Sequence, residues 1–228
     1  MSPNLTLLRI HRFLSTNLFY PIALSSLLAL AFWWGRIFHS DQFDYPFLPW
    51  NLMLAWIPYL LSLLVALVQR RNPGHWWALV MPFGFWLIFF PNAPYLVTDL
   101  LHLDPQPPVP VWYDMGLYAS YIWTGCLIAV VSLNIMQVAV RRYVGSFASW
   151  LFVLGTLVLS GLGIYMGRFR NWNSWDLFIQ PQQVMDDMII RLVHPIRFFQ
   201  VYGVTIFFTL FLLVCYLAFV YVHRRELK

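Results

Sequence analysis

Residues 115–140 read MGLYASYIWTGCLIAVVSLNIMQVAV, a run without Asp, Glu, Lys, Arg or His that stops at Arg141-Arg142. At about 1.5 Å of rise per residue, a helix crosses a hydrocarbon core about 30 Å thick in about 20 residues. It must be a helix, because backbone polar groups left unpaired find no water there. Five more uncharged stretches meet the same requirement: 18–35, 50–68, 76–97, 147–166 and 198–222. Together they predict an all-α fold, a polytopic transmembrane bundle of six spans in a single domain over 1–228. No internal repeat and no linker divides the chain. The first stretch reads as an uncleaved signal anchor, since bulky Phe32, Trp33 and Trp34 stand where a cleavage site needs small residues.

Composition agrees. The chain is 61% hydrophobic and 10% charged, whereas a soluble domain carries about 25% charged residues to cover its surface. Twelve Trp, twelve Tyr and twenty Phe suit a protein that sets aromatic rings at the headgroup level. The net charge of +5 is not gathered into any basic run longer than two residues, so no nucleic-acid partner is expected. Cys126 and Cys215 lie in apolar stretches and read as small buried residues.

Short loops rich in Lys and Arg stay in the cytoplasm. Both termini inside places Arg9, Arg12, Arg70, Arg71, Arg141, Arg142, Arg224, Arg225 and Lys228 there, nine of the fourteen basic residues. Every acidic residue except Glu226 then falls outside, Asp41 and Asp44 between the first two spans and the other six in the longer connections 98–114 and 167–197. From Pro181 onward Val184, Met185, Met188, Ile189 and Leu192 share a helical face, while Gln183, Asp186, Asp187 and Arg191 point elsewhere. This predicts a short amphipathic helix at the outer interface, before the last span.

Three stretches carry polar groups to that outer boundary. The third span ends in Phe90-Pro91-Asn92-Ala93-Pro94-Tyr95, and its two prolines predict a kink or opening near Asn92 that aims Tyr95, Thr98 and Asp99 outward. A stiff loop with Pro105, Pro107, Pro108 and Pro110 leads to Asp114. A stripe of small residues, Thr156, Ser160, Gly163 and Gly167, predicts a packing seam that delivers Arg168 and Arg170. Beyond it come Asn171, Trp172, Asn173, Ser174, Trp175 and Asp176. We expect Asn92, Asp99, Asp114, Arg168, Arg170 and Asp176 to meet in one pocket. Tyr95, Thr98, Asn173 and Trp175 would join the arginines in binding, with Asp99, Asp114 and Asp176 as candidate catalytic carboxylates. The same residues would serve equally as a lock of the outer cap.

The strings PNAPYLVTDL, WYD and GRFRNWNSWD resemble those of a family of bacterial multi-pass inner-membrane proteins known as a domain of unknown function. The likeness spans most of the chain from the third span to the amphipathic segment, and Asn171 stands where that family more usually has arginine. The resemblance implies topology and an inner-membrane location, and carries over no activity, cofactor or partner.

No metal or other cofactor is expected: His39, His102 and His194 have acidic neighbours but no ligand spacing. Nor is there a Gly-rich phosphate loop, a GxSxG elbow or a Cys/His pair. Three functions stay open. The first is binding or processing of a lipid or other amphiphile at the outer face, with Arg168 and Arg170 receiving phosphate. The second is an accessory or scaffolding subunit docking a membrane partner. The third is a transporter, ranked last because no Asp, Glu, Lys, Arg or His lies inside a predicted span.

Overall fold

The computed structural model describes residues 3–71, 74, 76–104 and 107–226. All regular structure among them is helical: α1 (Pro3–Thr16), α2 (Phe19–Ser40), α3 (Phe47–Arg71), a 3-10 turn (Trp76–Leu79), α4 (Val80–Phe89), α5 (Asn92–Tyr95), a 3-10 helix (Leu96–His102), α6 (Val111–Arg170), α7 (Asp176–Ile179), α8 (Pro181–Val193) and α9 (Phe199–Glu226). Pro105 and the terminal Lys228 lie outside the described residues, as do the side chains of Arg224, Arg225 and Glu226. Five helical segments are long and apolar enough to cross a membrane, among them 77–102, which joins α4, α5 and the 3-10 helix. The longest is α6, and it is folded back on itself. Gly145 has φ 81° and ψ −179°, a region in effect reserved for glycine. Tyr118 donates to the His102 carbonyl at 3.0 Å, and Arg168 reaches the same residue's ring. In a straight helix residues 118 and 168 would stand about 75 Å apart. The arms 111–144 and 146–170 therefore run in opposite directions, and the connection expected over 141–146 is helix with one glycine corner.

The bundle has two distinguishable ends. At the turn end Gln69 donates to the Ala139 carbonyl (3.0 Å), next to Arg70, Arg71, Arg141 and Arg142, and the Arg70 guanidinium lies over Phe13 of α1 at 4.8 Å. The sequence reading left α1 out, because it is too polar for a span. Between the ends, buried polar links tie the helices together: Ser25 with Thr124 (2.6 Å), Trp86 to Ser132 (2.7 Å), Ser132 to the Pro58 carbonyl (3.2 Å) and Tyr216 to Gln137 (2.5 Å). In hydrocarbon such links replace the hydrophobic drive that water would supply. Outward the bundle shows Leu24, Leu27, Phe147 and Phe207, each more than half exposed.

At the cap end the helix is interrupted at Phe90-Pro91, as the prolines predict, but does not open. Phe90, Pro91 and Leu96 keep right-handed helical angles, and the chain tightens into 3-10 turns. Proline is tolerated there because the first turn of a new helix has no use for its missing N–H. Side chains from two segments also meet at this break. Asn92 donates to Ser174 (3.1 Å), and Ser174 donates to the Ile88 carbonyl (3.1 Å). The small-residue stripe is a seam in part: a Cβ on Gly163 would sit 2.8 Å from Pro91, and one on Gly167 3.0 Å from Tyr95. That close approach fixes the second arm of α6 against α5.

Candidate functional site

Four acidic centres at the cap end take separate partners, which divides the single pocket expected from the sequence. The first is built on the 3-10 helix after Tyr95. Asp99, 1% exposed, accepts Asn51 Nδ2 on both oxygens at 3.0 Å and Arg168 Nη2 at 2.5 Å. Arg168 also gives Nε to Thr98 Oγ1 (2.9 Å) and Nη1 to His102 Nε2, while its guanidinium lies 4.5 Å over the Tyr95 ring. Arginine only donates, so His102 Nε2 accepts and that imidazole carries its proton on Nδ1.

The second centre joins Asp114 to Arg36 (2.7 Å), both with fully buried side chains, and Arg36 also pairs with Asp44. Arg36 lies 4.5 Å over Tyr45, whose hydroxyl donates to the Asp104 carbonyl at 2.5 Å. Asp114 is thus committed to Arg36 and takes no part in the Asp99 group.

The third joins α8 to the end of α6. Asp187 accepts from Arg170 Nε (3.0 Å), Trp172 Nε1 (2.9 Å) and Arg191. Burial pushes its carboxyl up, but the bonds from Trp172, Arg170 and Arg191 outweigh this and hold it below the usual carboxylate range. The helical face is therefore set differently from the expectation. Val184 and Met188 turn inward with Asp187 and Arg191, while Met185, Ile189 and Leu192 stay exposed. Asp187 and Arg191 can face the protein because they neutralise each other there.

The fourth acid, Asp176, is used locally: it accepts the Asn173 backbone N–H at 2.7 Å and closes the turn into α7. Trp175 is half-buried and stands apart from the cleft described next.

Between these groups opens a cleft of about 370 Å³. Its walls are apolar, with Leu54, Leu87, Leu159, Leu162 and Met188, and its polar atoms come from Asn51, Asn92, Tyr95, Asn173 and Ser174. Of the site residues expected from the sequence, Asn92, Tyr95 and Asn173 line it. Thr98, Asp99 and Arg168 form the layer that holds Asn51 and Tyr95 in place, and Arg170 holds α8 through Asp187. Trp50, Asn51, Trp172 and Ser174 were missed, as were Arg36, Asp44, His102, Asp187 and Arg191. A signal existed for Arg36: an arginine closing one span and an aspartate opening another need partners at one depth. A second cavity, about 480 Å³ at the turn end, is lined by Val65, Phe83, Met136 and other apolar side chains with Tyr143, and offers little for recognising a headgroup. The cap-end cleft joins apolar walls to convergent polar atoms, as ligand sites do.

Several apolar helices with exposed apolar outer faces and a polar-rimmed cleft at one end define a multi-pass helical membrane protein. More particularly, the chain belongs to the family described as Protein of unknown function (DUF1361), whose model matches residues 50–215. No curated protein and no solved structure matches it.

Proposed function

We propose that this protein crosses a bacterial inner membrane six times with both termini in the cytoplasm, and that its cap-end cleft binds an amphiphile at the outer membrane boundary. Folding of α6 at Gly145 supports six crossings from five long apolar segments. The arginine pairs at the turn end support the orientation. The observation that carries the binding role is the cleft itself, apolar along the helices and polar at its head. Arg168 and Arg170 are already paired with carboxylates. They act by positioning Tyr95 and α8, not as the phosphate receptors the sequence suggested. Both oxygens of Asp99 are likewise taken up by Asn51 and Arg168, which favours binding over proton transfer.

Leu159 is half exposed on the cleft wall. Native mass spectrometry of the purified protein should find a retained amphiphile, and Leu159→Trp, which fills the cleft, should remove it while the protein still inserts and folds. A stoichiometric protein partner with no retained amphiphile would instead establish the scaffolding role.

A further inference from the structure

Resting on that reading, we infer that the headgroup taken by the cleft is uncharged and rich in hydrogen-bond donors, as in a sugar or an amide, and is not a phosphate. None of the residues lining the cleft is Asp, Glu, Lys, Arg or His. Of the nearest cations, Arg168 is fully engaged. Arg168 is 9% exposed and uses all three guanidinium nitrogens, on Thr98, His102 and Asp99. Arg170 and Arg191 are both turned to the Asp187 carboxylate, and neither lines the cleft. An anion desolvated between apolar walls without a free counter-charge costs several kcal/mol.

The atoms left over have a definite sense. Ser174 has one hydroxyl proton and gives it to Ile88, so Asn92 must donate through Nδ2, and its Oδ1 is free. Asn51 faces a carboxylate, so it too donates through Nδ2 and keeps Oδ1. Asn173 turns Nδ2 toward Asp176 (3.4 Å). Among the described residues the Tyr95 hydroxyl has no hydrogen bond. Among the described residues three amide oxygens and one phenol thus remain without a partner. The amide oxygens repel phosphate oxygens and receive hydroxyl or amide protons, while the Tyr95 phenol can give or take one. The cleft volume is at the lower end of the range for ligand sites, enough for one headgroup and the first carbons of its chains.

The test compares three probes with identical acyl chains in nanodiscs: a monoglucosyl diacylglycerol, phosphatidylglycerol and bare diacylglycerol. Retention on the full-length protein is read by native mass spectrometry. The glycolipid should be retained about tenfold over either competitor, the worth of one or two net hydrogen bonds. Tyr95→Phe keeps the ring beneath Arg168 and removes only the free hydroxyl. It should lower glycolipid retention about threefold or more, leave diacylglycerol unchanged and leave Tm unchanged. Leu159→Trp should abolish retention of all three. Preference for phosphatidylglycerol, or equal retention of bare diacylglycerol, with sensitivity to Leu159→Trp intact, would overturn the headgroup assignment and leave the amphiphile site standing. Retention of all probes unaffected by Leu159→Trp, or no retention at all, would sink the amphiphile site itself and this inference with it.

Discussion

Replacing Arg36 by leucine would strand Asp114 in a fully buried position, with Asp44 beside it. Breaking one side of such a pair costs about 3–5 kcal/mol, whereas replacing both charges by apolar groups of similar size is often close to neutral. Arg36→Leu and Asp114→Leu should therefore each lower Tm sharply in detergent, and the double variant should recover most of the loss. Additive losses in that cycle would mean that the two residues act independently. Asp187 makes a different prediction, because its folded carboxyl is held below the ordinary value of 3.8. A depressed folded value adds stability that is fully present above the unfolded value and is lost as pH falls through the folded one. Thermal stability should decline below about pH 4, and Asp187→Asn should be less stable near neutrality with a flatter acid limb. Parallel acid limbs for the two proteins would refute the assignment. The sequence marks Arg36 and Asp114 as needing partners near one span end, but that they take each other is decided only by packing of α2 on α6.

Elements show most plainly where periodicity suffices and where it does not. Gly145 looks unremarkable in the sequence, yet it is the corner of α6. Gly145→Ala should cost about 1–3 kcal/mol, because a Cβ is strained at that backbone conformation whatever the space around it. Gly155→Ala, in the second arm with nothing within 4 Å of the new Cβ, should be neutral or stabilising. Equal Tm shifts for the two alanines would show that Gly145 is not a constrained corner. For α8, spin labels at Met185, Ile189 and Leu192 should be accessible to oxygen from lipid, while labels at Val184 and Met188 should be protected. Accessibility at Val184 equal to that at Ile189 would reverse the face. The existence of α8 was legible, because Pro181 and the apolar spacing both mark it. Its rotation was not, because a charged residue reads as outward until its partner is known, and the partners of Asp187 beyond Arg191 lie on α6 and in the loop after it.

At the scale of the whole molecule the apolar runs carried the all-helical fold, and the six uncharged stretches overlap five helical segments long and apolar enough to cross a membrane. What they could not carry was the division of the polar cap. Position at the ends of the apolar runs groups Asp99, Asp114, Arg168 and Arg170 in the sequence, but azimuth around the bundle decides which of them touch, and azimuth depends on packing. Orientation is the remaining whole-chain property and has a direct test. Ser146 is exposed at the turn end beside Arg141 and Arg142, and Gln42 is exposed at the cap end between α2 and α3. If both arms of α6 cross the membrane and the arginine pairs face the cytoplasm, Ser146→Cys in intact cells is shielded from an impermeant thiol reagent and Gln42→Cys is labelled. The two native cysteines, Cys126 and Cys215, are only partly exposed and lie within long apolar helices, so a cysteine-bearing wild type sets the background. Permeabilising the cells should expose Ser146→Cys. Labelling of Ser146→Cys before permeabilisation would invert the orientation, and labelling of both positions would mean that the two arms of α6 do not cross as a pair.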